Sequence, residues 1–276
     1  MNILVTLNSG YVKPLCTMLK SLVATNYGTV IDLYVAHSSL TELDFKMIKN
    51  ALAGSFSSVH QIRLDDDLFN NAPTKKRISK ETYYRIFAPI YLPRSVERIL
   101  YIDPDTIILN SLNHFYSADF GDSLIIGAKH FDGVIDSWNR GRLGIRHSEK
   151  YINAGIMLLN IKEMRKNFDE KKVFKVIKYR SSILFLADQD LINILYDGKI
   201  KTLSEYKINL DERTFKHLLR RCSLEECLEF VVGNTLIVHY NGKNKPWNSE
   251  YSGYLKQFYD EYAEGRAEAV SYEKGA

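Results

Sequence analysis

Asp103 and Asp105 stand one residue apart at the end of an apolar run, Arg98-Ile-Leu-Tyr-Ile102, in a chain of 276 residues. In extended backbone alternate side chains point the same way, so both carboxylates can converge on one point. Two carboxylates so placed repel each other, and a hard divalent cation with oxygen ligands removes that penalty. The competing reading is a turn in which Asp103 and Asp105 cap backbone amides. A second group, His239-Tyr-Asn-Gly242-Lys-Asn-Lys245-Pro-Trp247, also follows an apolar run, Thr235–Val238. Imidazole is a good ligand for Mn2+, lysine can meet phosphate, and Gly242 lets backbone approach a ligand closely. A strand-end histidine that serves only the local structure is the alternative there.

Two further groups invite the same question. Asn153-Ala154-Gly155 precedes the apolar Ile156–Leu159 and suits the approach of a polar ligand at a strand start, or simply a turn. Ala187-Asp188-Gln189-Asp190 opens a helix, where an aspartate caps free amides. Three polar side chains together exceed the needs of a cap and could face the hydroxyls of a sugar.

These groups need elements to position them. Asn2–Leu7 is a short apolar run suited to a buried parallel strand, and Tyr11–Thr25 has helical spacing through Leu15, Met18, Leu19 and Leu22. Val30–Ala36 predicts a strand, Thr41–Ala53 an amphipathic helix with a capping turn, Val59–Leu64 a strand, Lys80–Ile90 a helix and Arg98–Ile102 a strand. Successive β-α units imply an α/β fold with a doubly wound, mainly parallel sheet. In such sheets ligands lie beyond the carboxyl ends of the strands, here the Leu7–Tyr11 loop and the Asp103–Asp105 turn. Later segments are less regular. Ile107–Leu109, Leu124–Ala128, Ala154–Asn160 and Thr235–Tyr240 predict strands; Ile161–Tyr179, Ala187–Tyr196 and Ser249–Glu264 predict helices; Lys129–Lys150 predicts a mobile loop.

Lys and Arg number 37 against 33 Asp and Glu, a net charge of +4. That excess is small and dispersed, which argues against nucleic acid but suits an anionic ligand or loose contact with an acidic membrane surface. The three cysteines, Cys16, Cys222 and Cys227, predict reduced thiols in a cytoplasmic protein, and the Cys222/Cys227 spacing is not a zinc motif. Met1–Leu7 predicts a strand rather than a signal peptide, and no apolar run approaches the length of a membrane span. The expected location is cytoplasmic, with peripheral contact at the inner membrane face as the extension of that reading.

The groups occur in an order that resembles glycosyltransferase family 8, which includes bacterial lipopolysaccharide galactosyl- and glucosyltransferases and glycogenin. The pieces are Thr82-Tyr-Tyr-Arg85, Leu100-Tyr-Ile-Asp103-Pro-Asp105, Asn153-Ala-Gly155, Asp188-Gln-Asp190, His239-Tyr-Asn-Gly242 and Lys245-Pro-Trp247, spanning about Asn2 to Trp247. The resemblance implies a GT-A fold with a Rossmann-like sheet and helices on both faces. It implies one domain over 1–248, with a nucleotide-binding half (1–110) and a sugar and acceptor half (111–248), followed by a helical tail (249–276). It implies a retaining transfer of glucose or galactose from a UDP-sugar to a glycan or lipid-linked sugar, with Mn2+ as cofactor and Mg2+ as the substitute.

By position, the resemblance makes Asp103, Asp105 and His239 the metal ligands. Thr6, Asn8 and Tyr11 would line the uridine pocket, with Tyr11 stacked on the base. Arg85, Asn153, Ala154, Asp188 and Gln189 would surround the donor sugar, and Gly242 and Lys245 would hold the diphosphate. Asp188 and Gln189 are the expected catalytic pair. Gln189 is a poor nucleophile because a neutral amide oxygen is far weaker than a carboxylate, so a front-face route is favoured, with Asp188 the alternative nucleophile. Two positions depart from the family pattern: Asn8 stands where the first loop commonly has an acid, and His130 where related galactosyltransferases have an Asp. Two rival readings are a haloacid-dehalogenase-like Mg-dependent phosphatase, in which Ile107 would replace the usual Thr or Val, and a non-catalytic sugar-nucleotide-binding module.

Overall fold

The computed structural model describes residues 1–64, 83–130 and 132–263. Residues 80–82 of the expected Lys80–Ile90 helix, including Thr82 of the quoted motif, lie outside them, as do 264–276 of the expected tail. The first half alternates as its apolar pattern predicts: β1 (Asn2–Thr6), α1 (Val12–Thr25), β2 (Ile31–His37), α2 (Glu42–Ala51), β3 (Ser57–Arg63) and β4 (Ile99–Ile102). Thr41 and Asp44 form a reciprocal capping box that starts α2. The chain then adds β5 (Thr106–Ile108), β6 (Ile125–Lys129), β7 (Ile152–Leu159), β8 (Ile200–Leu203) and β9 (Ile237–His239).

Seven strands form one sheet in the order β3-β2-β1-β4-β7-β6-β8. β1 pairs in parallel with β2 and β4, and β2 with β3. β7 is antiparallel to both β4 and β6, and β8 is parallel to β6, so β7 alone among these strands runs the other way. Alternation divides the core. Ile3, Val5, Leu33, Val35, Leu100 and Ile102 face α1 and α2 through Leu15, Met18, Leu22, Phe45 and Ile48. Leu4, Tyr34, Tyr101, Met157 and Leu159 face the other way, toward helices of the second half.

The second half carries α3 (Gly133–Leu143), α4 (Ile161–Asn167), α5 (Glu170–Arg180), α6 (Ala187–Leu195), α7 (Glu212–Leu218), α8 (Leu224–Asn234) and α9 (Lys256–Ala263), of which α4, α5 and α6 pack on that face through Ile161, Met164, Val173, Ile177, Leu191 and Ile192. Helices therefore cover both faces of the sheet. β5 and β9 form a separate two-stranded antiparallel ribbon. Ile107 and Val238 from this ribbon pack with Phe215, Val231, Leu255 and Phe258 into a second, smaller core.

Four expectations are corrected. Lys129–Lys150 is not a mobile loop, because α3 occupies most of it and ends at Gly144, whose φ of 69° is the left-handed conformation that stops a helix. Ile161–Tyr179 is two helices, broken where Asp169 leaves helical backbone to accept from Lys172 N. The tail helix begins at Lys256, not Ser249. Cys222 and Cys227 are not reduced thiols: they form a disulfide across a Cα–Cα distance of 5.9 Å, and only Cys16 is free. Among the described residues, no helix is long and apolar enough to cross a membrane.

Candidate active site where two sheets meet

β4 delivers its carboxylates to the point where the two sheets touch. Asp103 N donates to Gly155 O at 2.8 Å, which ties the end of β4 to β7. Thr106 Oγ1 donates to Asp103 O at 2.9 Å and closes the turn into β5. The β5–β9 register then sets Thr106 opposite His239, and Tyr240 N donates to Asp105 O at 2.9 Å. His239 Nε2 consequently lies 3.7 Å from Asp103 Oδ2 and 3.5 Å from Asp105 Oδ1. One ligand atom from each of the three residues lies within 4.8 Å of the others.

The outer atoms of the triad are already occupied. Asp103 Oδ1 receives Arg85 at 3.1 Å and the Tyr101 hydroxyl at 2.5 Å, while Asp105 Oδ2 receives the Lys245 ammonium at 2.5 Å. His239 Nδ1 faces Asn209 Oδ1 at 2.8 Å, and that oxygen can only accept. With Nδ1 donating to Asn209, Nε2 is the ring nitrogen turned toward Asp103 Oδ2 and Asp105 Oδ1. Two carboxylate oxygens and a ring nitrogen turned to one point fit a divalent cation held with oriented outer partners. Burial works to raise the Asp105 carboxyl, but His239 and Lys245 beside it hold it well below the usual carboxylate range.

Gly155 makes room for this arrangement. A Cβ there would stand 2.3 Å from His239 Cε1 and 2.7 Å from Asp103 Oδ2. Arg85 joins the metal-facing and sugar-facing sides: it meets Asp103 at 3.1 Å and Asp188 at 3.1 Å, donates to Ala154 O at 2.9 Å and lies 4.4 Å over the Tyr101 ring. Burial pushes the Asp188 carboxyl up to about 6, against the pull of Arg85 and with the repulsion of Asp103.

α6 opens with a division of labour among its polar residues. Asp190 is structural, gripped by both Arg142 nitrogens at 3.0 Å, by the Tyr151 hydroxyl at 2.6 Å and by Leu186 N at 2.9 Å. Gln189 Oε1 accepts from Ala154 N at 3.3 Å, so its amide nitrogen faces His130 Nδ1 at 2.6 Å and the Tyr151 hydroxyl at 3.0 Å. A neutral His130 accepting at Nδ1 satisfies that geometry. Burial and the nearby Arg213 push its pKa down to about 3.

The structure brings nine of the expected site residues to one cleft of about 440 Å³: Arg85, Asp103, Asp105, Asn153, Ala154, Asp188, Gln189, His239 and Lys245. The other four lie elsewhere. Thr6 stands behind the cleft, its hydroxyl 3.1 Å from that of Tyr101. Asn8 accepts from Gly10 N at 3.1 Å and starts the short turn Ser9–Tyr11. Tyr11 packs edge-on against Trp247 at 5.8 Å, and burial raises its hydroxyl despite Lys245 nearby. Gly242 lines an adjoining cavity that meets the cleft at His239 and Asn241. Sequence reasoning singled out Gly155 with Asn153 as a place for close approach, but left Tyr101 and Asn209 without site roles. Tyr101 was within reach, since it shares a strand face with Asp103; Asn209 lies 30 positions from His239 and carries no local signal.

The glycosyl transferase family 8 model matches residues 2–251. General stress protein A of Bacillus subtilis (strain 168) is 28% identical over 230 residues, covering 79% of this chain and 77% of that protein. Lipopolysaccharide 1,2-glucosyltransferase of Escherichia coli (strain K12) is 20% identical over 249 residues, 90% of this chain and 73% of that protein. The crystal structure of the galactosyltransferase LgtC in complex with donor and acceptor sugar analogs has a TM-score of 0.83 at 23% identity, covering 99% of this chain and 98% of that one. That likeness shows the GT-A fold, which sets aside the haloacid-dehalogenase-like reading. With nearly the whole described chain inside the match, this protein belongs to glycosyl transferase family 8.

Proposed function

We propose that the chain is a retaining hexosyltransferase that takes glucose or galactose from a UDP-sugar and passes it to a glycan or lipid-linked sugar. The observation that carries this reading is the meeting of Asp103, Asp105 and His239 beside Arg85, Asp188 and Gln189. Asp103, Asp105 and His239 would hold Mn2+, with Mg2+ as substitute, and the ion supplies Lewis-acid stabilisation of the charge growing on the departing diphosphate. Lys245, now on Asp105, sits where its ammonium can turn to a phosphate oxygen, and amides near Gly242 add donors. Asn8, Tyr11 and the end of β1 at Thr6 flank the uridine.

Arg85, Asn153, Ala154, Asp188 and Gln189 orient the sugar. Gln189 has both amide protons and its oxygen engaged, which suits a rigid wall better than a nucleophile. The acceptor oxygen bonds to the anomeric carbon on the face the diphosphate leaves, the carbon–diphosphate bond breaks, and the acceptor proton goes to the departing phosphate oxygen. The net charge of +4 supports work at an acidic cytoplasmic membrane face, while the Cys222–Cys227 disulfide pulls toward a more oxidising setting.

A panel of nucleotide sugars with Mn2+, scored for slow donor hydrolysis, tests the reading without an acceptor. UDP-glucose or UDP-galactose should turn over, chelation should stop it, and added Mn2+ should restore it. Asp103→Ala should lower UDP release by roughly 100-fold or more. Near-normal release from that variant overturns the assignment.

A further inference from the structure

The cavity that adjoins the cleft at His239 and Asn241 has a volume of about 730 Å³ and lies between α7 and the 240–244 turn. Four permanent cations line it: Arg213, Lys216, Arg220 and Lys243. Two acids share it, and both are committed to local structure. Asp211 accepts from Thr214 N at 2.7 Å and Asn241 Nδ2 at 3.1 Å. Glu212 accepts from Leu255 N at 2.7 Å and the Tyr251 hydroxyl at 3.0 Å. Arg213 is engaged with His130 O at 2.7 Å. Lys216, Arg220 and Lys243, by contrast, make no side-chain hydrogen bond or ion pair among the described residues, although they line one cavity. Like charges gathered this way repel, and a hollow whose four cations outnumber its two carboxylates focuses its field on incoming anions.

Position gives the charge a purpose. On the donor reading, the ion that Asp103, Asp105 and His239 would hold, together with Lys245, meets the charge of a donor diphosphate inside the smaller cleft. The basic hollow adjoins that cleft across His239 and Asn241, so a molecule seated in it can reach the cleft. We infer that the hollow receives an acceptor bearing an anionic group, phosphate or carboxylate, which Lys216, Arg220 and Lys243 hold while a sugar hydroxyl reaches past His239 into the cleft. The inference rests on the donor reading for the direction of approach, and its binding test does not depend on turnover.

The probes are methyl glucoside, glucose 6-phosphate and glucuronate, titrated into the full chain by NMR at low salt, with and without UDP and Mn2+. At least one charged probe should bind about tenfold or more tightly than methyl glucoside, a preference that 0.5 M salt should erase. Which charged probe wins identifies phosphate or carboxylate as the group recognised. The double variant Lys216→Ala with Arg220→Ala should bring the charged probe to the uncharged level and leave UDP affinity unchanged. Equal binding of charged and uncharged probes overturns the inference, as does a charged preference that survives the double variant. UDP affinity falling by the same factor in the double variant also overturns it, because the hollow would then belong to the donor. Wild-type protein that binds no UDP contradicts the donor reading, and the probe titrations still decide the anionic one.

Discussion

At Gly155 there is no space for even one carbon, since an added Cβ would press His239 Cε1, next to the ring's Nε2, and Asp103 Oδ2 itself. Gly155→Ala should lower unfolding free energy by about 1–3 kcal/mol, because His239 and Asn153, which the methyl would press, are buried, and should weaken Mn2+ binding by roughly 10–100-fold, as disturbed ligand orientation does elsewhere. Calorimetric titration with Mn2+ checks this, and unchanged affinity would show that the triad tolerates the methyl. His130 makes a pH prediction. Its folded pKa, about 3, lies below the ordinary 6.5, so its contribution to stability is complete above pH 6.5 and is lost as pH falls toward 3. Arg213, Asp211, His239 and Asp190 are the charged or titratable groups that act on it. Asp188, raised to about 6, has the opposite slope between 3.8 and 6, so only a comparison of variants isolates the histidine. His130→Gln, which can still accept from Gln189, should lose less melting temperature between pH 7 and pH 4.5 than wild type; parallel curves would contradict it. At this scale sequence was most informative where strands end in polar residues. It was least informative for Asn209, whose partner is set by tertiary folding alone.

The elements show which patterns carry information. β1, β2 and β4 are legible because they are buried on both faces and appear as continuous apolar runs. α3 defeats the same logic. Its Asp136 and Asn139 are buried while Val134 is 84% and Trp138 56% exposed, so the apolar face points outward and no inward stripe marks a helix. Asp136 faces inward because Tyr151 N and Arg140 use its two oxygens. α8 carried a readable signal that was overlooked, the reciprocal capping box of Ser223 and Glu226. The ribbon of β5 and β9 is too short to stand alone and is pinned to α1 by Ser21, whose hydroxyl accepts from Ile108 N at 2.9 Å and donates to Met18 O at 2.6 Å. Ser21→Ala should leave the Ile108 N–H buried and unpaired and lower unfolding free energy by about 1–3 kcal/mol. Urea denaturation checks it, and a loss below a few tenths of a kcal/mol would mean that another group takes the bond.

Across the whole molecule, the order of motifs was legible because each falls at a strand or helix end that a doubly wound sheet gathers on one side. The smaller core under β9 was not, because its contacts join Ile107 to residues more than 100 positions away. The Cys222–Cys227 disulfide sits at that core and closes a loop of only a few residues. Reduction should lower unfolding free energy by about 2 kcal/mol, the entropy expected of so short a ring. Thermal melts with and without dithiothreitol test that, and identical curves would show that the bond adds nothing. The ribbon has one more consequence, for synthesis. Asp103 and Asp105 emerge from the ribosome long before His239, and β5 has no pairing partner until residues 237–239 arrive. A nascent chain halted before that point can fold its parallel strands yet still lack the imidazole, so the cluster of Asp103, Asp105 and His239 stays incomplete until residue 239 has been made and has left the exit tunnel.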